Sequence, residues 1–234
     1  MKLSVRNVEQ NLKYEKVIVL LSGGLDSCVT TAIAHENYDL CLLHVNYGHL
    51  TEAREKKAFL DIAQFYNVHK ILMVDIGYLK NIGGSSLTDT NIPVAKTTHA
   101  AIPNTYIPFR NANLLAIAVS WAEVIGAKKI FIGAMEEDSS GYPDCREIFF
   151  RFYNEMIKYG TKPETKISIE TPILHKSKSE VVKIGKKFGA PLHLSWSCYI
   201  NSEKACGKCD SCKLRINAFN KAGFKDEIPY LESV

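Results

Sequence analysis

The sequence predicts an α/β fold built on a doubly wound parallel sheet. Short apolar runs rich in β-branched residues alternate with longer segments of helical periodicity, which is the pattern of βαβ units. The first apolar run has no polar face, so its strand is expected to be covered by helices on both sides of the sheet. A glycine-rich turn follows this run directly, at the edge where such sheets bind ligands.

The elements follow in order along the chain. The run KVIVLL is typical of a buried strand, and the segment after its glycines has the spacing of an apolar helix face. Later segments repeat this alternation of an apolar strand and a helical pattern. The second predicted helix carries charges along one face, and the last predicted helix is rich in lysine. Strands are predicted at 16–21, 39–45, 69–76, 129–133 and 168–171, and helices at 27–37, 51–65, 111–125, 147–159 and 177–188.

Two segments depart from this alternation. Residues 81–106 are mostly small and polar, and they form a longer loop than compact domains usually contain, so we expect either a flap over a substrate or a plain mobile loop. From residue 194 the pattern gives way to a cysteine cluster and a short tail. We therefore divide the chain into a nucleotide-binding α/β domain, 1–190, and a small metal-binding C-terminal segment, 191–234.

Composition and charge exclude several classes of protein. The 234 residues are 46% hydrophobic and 23% charged, which excludes collagen-like and disordered chains. No apolar stretch reaches the ~20 residues of a membrane span, and no secretory signal is visible, so a cytoplasmic protein without a membrane partner is predicted. The net charge of +4 comes from residues 175–234, which carry 11 basic and 6 acidic residues. This surplus suits a phosphate-bearing ligand better than direct binding of nucleic acid.

The turn after the first strand reads Ser22-Gly23-Gly24-Leu25-Asp26-Ser27. Its glycines let backbone N–H groups approach a ligand, and the following helix N-terminus favours an anion such as phosphate. The spacing fits neither the Walker A motif nor the dinucleotide fingerprint. A carboxylate at an anion site requires a bridging cation, so Asp26 predicts Mg²⁺ bound together with nucleotide phosphates.

Four cysteines near the C-terminus have the spacing C-x7-C-x2-C-x2-C. They are Cys198, Cys206, Cys209 and Cys212. Four thiolates this close in a reducing compartment predict a metal site, and four protein ligands predict a closed, structural zinc site. An iron–sulfur cluster is the alternative, because C-x2-C-x2-C also begins one ferredoxin motif, although the Cys-Pro that follows there is absent.

Several motifs in the same order resemble known families. The sequence SGGLDS resembles the pyrophosphate loop of the N-type ATP pyrophosphatases, which cleave ATP between its α and β phosphates. Together with GYPDCR at 141–146, SCY at 197–199 and CGKCDSCKLR at 206–215, it resembles the 7-cyano-7-deazaguanine synthase family of queuosine and archaeosine biosynthesis. The chain departs from that family at 48–51, GHLT instead of a GQRH-like stretch, and at 107–111, IPFRN instead of VPGRN.

The resemblance implies a fold of the adenine nucleotide alpha-hydrolase type and an ATP-dependent ligase. Its substrates would be ATP, ammonia and 7-carboxy-7-deazaguanine, converted to a nitrile through an adenylated carboxylate, an amide and an adenylated amide. A homodimer is also implied. Alternative readings are an enzyme that adenylates a tRNA base, a nitrile-forming variant that acts on a protein carboxylate, and a zinc-knuckle nucleic-acid binder without catalysis.

The expected site residues follow from these motifs and from charge. Asp26 is expected to bind Mg²⁺, and Arg110 and Lys178 are expected to neutralise charge on the phosphates. Tyr142 would stack on the base, the Asp144 carboxylate would accept from its N–H groups, and Arg146 would pair with the substrate carboxylate. ATP is expected to bind to Leu20, Leu21, Ser22, Gly23, Gly24, Leu25, Asp26, Ser27 and Cys28.

Overall fold

The structure, a computed structural model, describes residues 14–89, 91–92, 102–136 and 141–231. Part of the predicted flap at 81–106 therefore lies outside the described residues. The strands are β1 (Lys16–Leu20), β2 (Asp39–Asn46), β3 (Ile71–Asp75), β4 (Lys129–Ile132) and β5 (Ser168–Glu170). The helices are α1 (Leu25–His35), α2 (Glu52–Phe65), α3 (Tyr78–Ile82), α4 (Arg110–Ile125), α5 (Glu147–Gly160), α6 (Lys178–Lys187) and α7 (Asp210–Ala222).

The five strands form one parallel sheet in the order β3-β2-β1-β4-β5. Ile18 of β1 lies opposite Cys41 of β2 on one side and opposite Ile130 of β4 on the other. Along the chain the sheet grows outward from β1 to β3 and then crosses back to β4. The carboxyl ends of β1 and β4 are therefore the point where the strand order reverses, and a ligand crevice is expected there.

Helices cover both faces of the sheet, which confirms the predicted doubly wound fold. Alternate residues of β1 enter different cores, with Ile18 and Leu20 on one face and Val17 and Val19 on the other. The first face packs against residues of α4 and α5, and the second packs against residues of α1, α2, α6 and α7. None of the helices in the described ranges combines the length and apolarity that a membrane span needs.

All ten predicted elements are present, but two helices are missing from the prediction. One is the single-turn α3, and the other is α7, which packs against α6. The buried residues of α7 are Cys212, Arg215, Ala218 and Phe219. Because this stripe contains a cysteine and an arginine, its periodicity is not visible as an apolar pattern.

Arg215 anchors α7 to two other parts of the C-terminal segment. Its side chain is 1% exposed, and its Nε and Nη2 atoms lie 2.7 and 3.0 Å from the two carboxylate oxygens of Asp226. Its Nη1 donates to Ser195 Oγ at 2.8 Å, and Nη2 also donates to the Leu192 carbonyl at 3.0 Å. The guanidinium charge is therefore buried with a bidentate partner and further acceptors, as a buried ion requires.

We predict that Arg215→Met lowers the free energy of unfolding by about 3–5 kcal/mol, because the Asp226 carboxylate is left buried without its partner. Urea unfolding followed by circular dichroism measures this change. Lys213→Met is the matched control, since Lys213 lies on the same helix with a side chain that is 61% exposed. An equal effect of the two substitutions would contradict the anchoring role of Arg215.

Candidate active site

A cavity of about 420 Å³ lies at the carboxyl ends of β1 and β4. The loop after β1 forms one wall, and the residues that follow β4 form another. The N-termini of α4 and α6 also reach it, as do residues 196, 197, 199, 210 and 211 of the C-terminal segment. The cavity occupies the position where a doubly wound sheet is expected to bind its ligand.

We call residues 22–27 the phosphate loop. Two glycines allow neighbouring backbone to pack closely against this loop. Gly23 has φ +95°, and a Cβ atom there would lie 2.6 Å from the Glu55 carbonyl oxygen. A Cβ atom on Gly133, after β4, would lie 2.9 Å from the Ser27 nitrogen. Any side chain at either position would therefore push the loop away from its neighbours.

The N-terminus of α1 faces this loop without a side-chain cap. Gly24 precedes the helix in an extended conformation and offers no side-chain acceptor to the first N–H groups. The Ser22 and Ser27 hydroxyl oxygens lie 3.1 Å apart, and Ser27 donates to the Gly24 carbonyl at 3.0 Å. Uncapped N–H groups at a helix N-terminus, beside two hydroxyls, form an anion site.

Asp26 and Lys178 meet at the edge of the loop. The distance between Lys178 Nζ and Asp26 Oδ2 is 2.7 Å, and both side chains are largely buried. Lys178 is the first residue of α6, where a capping box between Ser177 and Glu180 fixes the helix start. Asp26 Oδ1 is buried and has no hydrogen-bond partner. A carboxylate oxygen left without a partner beside an anion site fits a magnesium ion bound with phosphate.

Arg110 enters the cavity from the start of α4. The residue before it, Phe109, has φ 57°, a left-handed backbone that is uncommon for a residue other than glycine. The Tyr106 hydroxyl accepts from the Phe109 N–H at 2.9 Å, and Asn113 Nδ2 donates to the Phe109 carbonyl at 2.8 Å. Phe109 thus adopts the turn that a glycine would adopt at this position of the VPGRN pattern. Its side chain is 61% exposed and does not fill the cavity.

The Arg110 guanidinium has capacity left for a ligand. Its Nη1 lies 3.4 Å from the Tyr47 hydroxyl, and its Nε is buried without a hydrogen-bond partner. Burial acts to lower the pKa of Arg110, but Tyr47 and Asp144 outweigh it and hold the pKa above its ordinary value. The group is therefore a fixed positive charge beside the cavity, with one N–H donor that no neighbour uses.

Aromatic side chains line the other end of the cavity. Tyr47, Tyr142 and Tyr199 all face it, and the Tyr142 hydroxyl lies 2.6 Å from Thr105 Oγ1. Burial raises the pKa of Tyr47 to about 12, so this phenol remains neutral. Glu55 also lines the cavity. Tyr47 and Glu55 were not among the predicted site residues, although Tyr47 follows β2 directly, at the ligand edge of the sheet.

Asp144 and Arg146, which the sequence predicts to contact the base, are not among the residues that line this cavity. Asp144 is 2% exposed, its Oδ2 accepts from the Asn111 N–H at 2.8 Å, and its carbonyl accepts from Asn111 Nδ2 at 2.9 Å. Asp144 thus caps the N-terminus of α4 from a neighbouring turn. Arg146 is exposed and donates to the Pro143 carbonyl within its own turn at 3.1 Å.

Seven of the nine residues predicted to bind ATP line the cavity, and Gly23 and Cys28 do not. Gly23 acts through its backbone turn. Cys28 lies in the core beneath the loop, where its Sγ is 3.7 Å from the Pro191 carbonyl oxygen and burial raises its pKa to about 12. The side chain therefore packs as a small apolar group.

The four cysteines converge as the spacing predicts. Their Sγ atoms all lie within 4.8 Å of one another, and those of Cys206 and Cys212 are 3.9 Å apart. A tetrahedral zinc ion with bonds of about 2.3 Å requires sulfur atoms about 3.8 Å apart. The backbone N–H groups of Asn201 and Cys206 donate to Cys198 Sγ at 3.3 and 3.4 Å, which stabilises a thiolate. This cluster can hold a metal ion.

Trp196 joins the cysteine-bearing segment to the phosphate loop. Its N–H donates to the Gly23 carbonyl at 2.8 Å, and the Arg54 guanidinium lies 4.2 Å from the centre of its ring. The indole Nε1 donates to the Asn201 carbonyl at 3.1 Å, next to the cluster. Trp196 therefore links the cysteine-bearing segment to the phosphate loop by hydrogen bonds at both of its N–H groups.

Comparisons with known proteins identify related sequences. The family model of queuosine biosynthesis protein QueC matches residues 16–223. The 7-cyano-7-deazaguanine synthase of Chloroherpeton thalassium is 56% identical over 218 residues, which cover 92% of this chain and 96% of the relative. That of Chlorobium phaeobacteroides is 55% identical with the same coverage. A solved structure described as a predicted subunit of tRNA methyltransferase from Methanocaldococcus jannaschii gives a TM-score of 0.49 at 13% identity over 93% of each chain.

We predict that Asp144→Ala lowers the free energy of unfolding by about 1–2 kcal/mol, because the Asn111 N–H loses its acceptor at the start of α4. Asp144→Asn keeps an acceptor oxygen and should lose less. Chemical denaturation of the two variants gives the comparison. If Asp144→Ala kept wild-type stability but bound the acceptor base more weakly, the capping role would be contradicted.

Proposed function

The chain belongs to the queuosine biosynthesis protein QueC family, and on that premise we propose that it is an ATP-dependent ligase that converts 7-carboxy-7-deazaguanine and ammonia to 7-cyano-7-deazaguanine. The observation that supports this most directly is a single cavity that joins an anion-binding loop to a tyrosine-lined end. Such a cavity can place ATP phosphates and a planar heterocycle side by side.

The chemistry requires activation of the same carbon twice. A carboxylate is a poor electrophile, so its oxygen attacks the α-phosphate of ATP and pyrophosphate leaves. Ammonia then attacks the acyl carbon, AMP departs with one substrate oxygen, and an amide forms. The amide oxygen is adenylated by a second ATP, and loss of AMP and of the remaining N–H protons gives the nitrile. One turnover therefore consumes two ATP and one ammonia.

The phosphate loop and its neighbouring cations would perform this activation. The N–H groups of the loop from Ser22 to Ser27 hold the pyrophosphate, and Lys178 and Arg110 neutralise charge as the leaving group separates. Asp26 would hold Mg²⁺, which supplies positive charge to the phosphates when bound. The Asp26 oxygen without a partner supports this assignment.

We also propose zinc as the ion of the cysteine cluster, in a structural role. Four thiolates within 4.8 Å suit one tetrahedral ion, whereas a four-iron cluster distributes its thiolates over separate iron atoms. With four protein ligands, such an ion has no open position for substrate.

The remaining proposals concern partners and compartment. The acceptor is a free small molecule and not a nucleic acid, since the basic surplus of the chain is modest. None of the seven cysteines is in a disulfide, which supports a cytoplasmic location. A homodimer is supported by the family resemblance and by the groove between α4 and α5, where Phe152 and Met156 are more than half exposed.

The reaction is tested by incubating the purified chain with ATP, Mg²⁺, ammonium and 7-carboxy-7-deazaguanine, and following amide and nitrile by mass spectrometry. We expect nitrile formation with two AMP released per product. Asp26→Asn should lower kcat by at least about 100-fold, because the carboxylate that would hold Mg²⁺ at the phosphates is lost. Asp61→Asn is the control, since Asp61 forms only an exposed pair with Lys57 on α2.

AMP release that requires tRNA or a protein acceptor, with no change in the mass of the free base, would overturn the proposed substrate. Nitrile formation by Asp26→Asn at the rate of the Asp61→Asn control would remove Asp26 from the magnesium site.

For the zinc site, we expect Cys209→Ser to lose the metal and at least about 10-fold of the ligase activity. The physical reason is that the cluster holds Trp196, whose N–H supports the phosphate loop at Gly23. Metal content by mass spectrometry, Tm and the Kd of ATP are measured together. Lys204→Ser, an exposed substitution in the same loop, is the control. Full ATP affinity in metal-free protein would contradict this link, and bound iron would contradict zinc.

A further inference from the structure

The proposed acceptor has an edge that the site must recognise. Its ring N1–H and its exocyclic amine are two donors that point in the same direction. A carboxylate is the side chain that accepts both at once, with charge-assisted hydrogen bonds. A carboxylate in the cavity, beside the aromatic rings and away from the phosphate loop, would therefore select a guanine-like base.

Three carboxylates line the cavity among the described residues, namely Asp26, Glu55 and Asp210. Asp26 is committed to the phosphate loop by its 2.7 Å pair with Lys178. The Asp210 side chain is 53% exposed at the start of α7, so water competes for its hydrogen bonds. Asp144, the residue expected from the sequence, is occupied as the cap of α4. Glu55 is the carboxylate that remains.

The Glu55 carboxylate lies at ion-pair distance from a buried histidine, although their geometry is not that of a hydrogen bond. Its side chain is 18% exposed, and its Oε2 lies 3.0 Å from Nε2 of His49, whose side chain is 5% exposed. The His49 ring in turn packs on Tyr47, with their centres 4.6 Å apart. Glu55 lies in the first turn of α2, where a negative charge is favoured by the helix dipole.

The rings around Glu55 are suited to a planar base. Burial raises the pKa of Tyr47 and of Tyr199, and the negative charge of Glu55 adds to both increases. The geometry agrees for Tyr47, whose ring packs on His49, the residue that lies 3.0 Å from Glu55 Oε2. A planar base bound against Tyr47 would have Glu55 as a neighbouring carboxylate of the cavity.

We propose that Glu55, positioned by His49, accepts the N1–H and the exocyclic amine of the acceptor base and so determines specificity for a guanine-like substrate. The inference deepens the proposed function and rests on it. It also gives a reason for the sequence GHLT after β2, since the histidine that departs from the family pattern is the residue that contacts Glu55.

The test is calorimetric binding of 7-carboxy-7-deazaguanine to wild type, Glu55→Gln and Glu52→Gln, with Mg²⁺ and a non-hydrolysable ATP analogue present. We expect Glu55→Gln to raise the Kd of the base roughly 10- to 100-fold, the cost of losing hydrogen bonds to a charged acceptor. Its Kd for the ATP analogue should stay within about 2-fold of wild type, since Asp26, Arg110 and Lys178 are intact. Glu52→Gln removes the same charge from the first turn of α2 outside the cavity and should match wild type.

A second ligand separates recognition of the edge from a general loss of binding. The analogue 7-carboxy-7-deazahypoxanthine lacks the exocyclic amine. Wild type should bind it more weakly than the guanine-type base by about 10-fold or more, and Glu55→Gln should lose most of this preference. Equal preference in both proteins would overturn the proposal, as would a Glu55→Gln defect that appears in the KM of ammonium instead of the binding of the base.

The outcomes distinguish this inference from the proposed function. A wild-type chain that binds the base through Glu55 but makes no nitrile would overturn the proposed function alone. A chain that makes nitrile while Glu55→Gln binds the base as wild type does would overturn the inference alone. Absence of base binding in wild type would overturn both. Thermal unfolding of each variant excludes a folding defect as the cause.

Discussion

The rest of the site depends on close backbone contact around the phosphate loop. Gly23 lies against the Glu55 carbonyl of α2, and Gly133 lies against the first turn of α1, in spaces that exclude a Cβ atom. These contacts aim the N-terminus of α1 at the cavity, so that its backbone N–H groups contribute to the anion site beside the serine hydroxyls. Because Gly23 and Gly133 follow the neighbouring strands β1 and β4, the loop is positioned by the core itself.

The C-terminal segment also contacts the phosphate loop. Arg215 ties α7 to Asp226 and to the 192–195 turn, and Trp196 then donates to the carbonyl of Gly23. The cysteine cluster lies at the other end of the same short connection. A metal in this cluster would thus act on nucleotide binding through rigidity, without contact with the substrate.

The geometry also separates two carboxylates that have similar chemistry. Asp144 is buried, and an N–H from α4 occupies one of its oxygens, which makes it a structural group. Glu55 lines the cavity, and its Oε2 lies 3.0 Å from His49 Nε2. Burial with a backbone partner indicates a role in stability, whereas partial exposure beside tyrosines indicates a role in recognition. Glu55 and Asp144 therefore differ in whether they line the cavity, although both are carboxylates.

The sequence by itself determined the five strands and five of the helices, the glycine-rich loop after β1 and the cluster of four cysteines. These features are local, since each depends on a hydrophobic period or a short spacing within one segment. It did not reveal α7, whose buried stripe includes Arg215, or the positions of Asp144, Tyr47 and Glu55 relative to the cavity. Those depend on how separate loops meet at the sheet edge. Only the tertiary structure decides such contacts, because partners like Asp144 and Asn111, or Trp196 and Gly23, lie far apart in sequence.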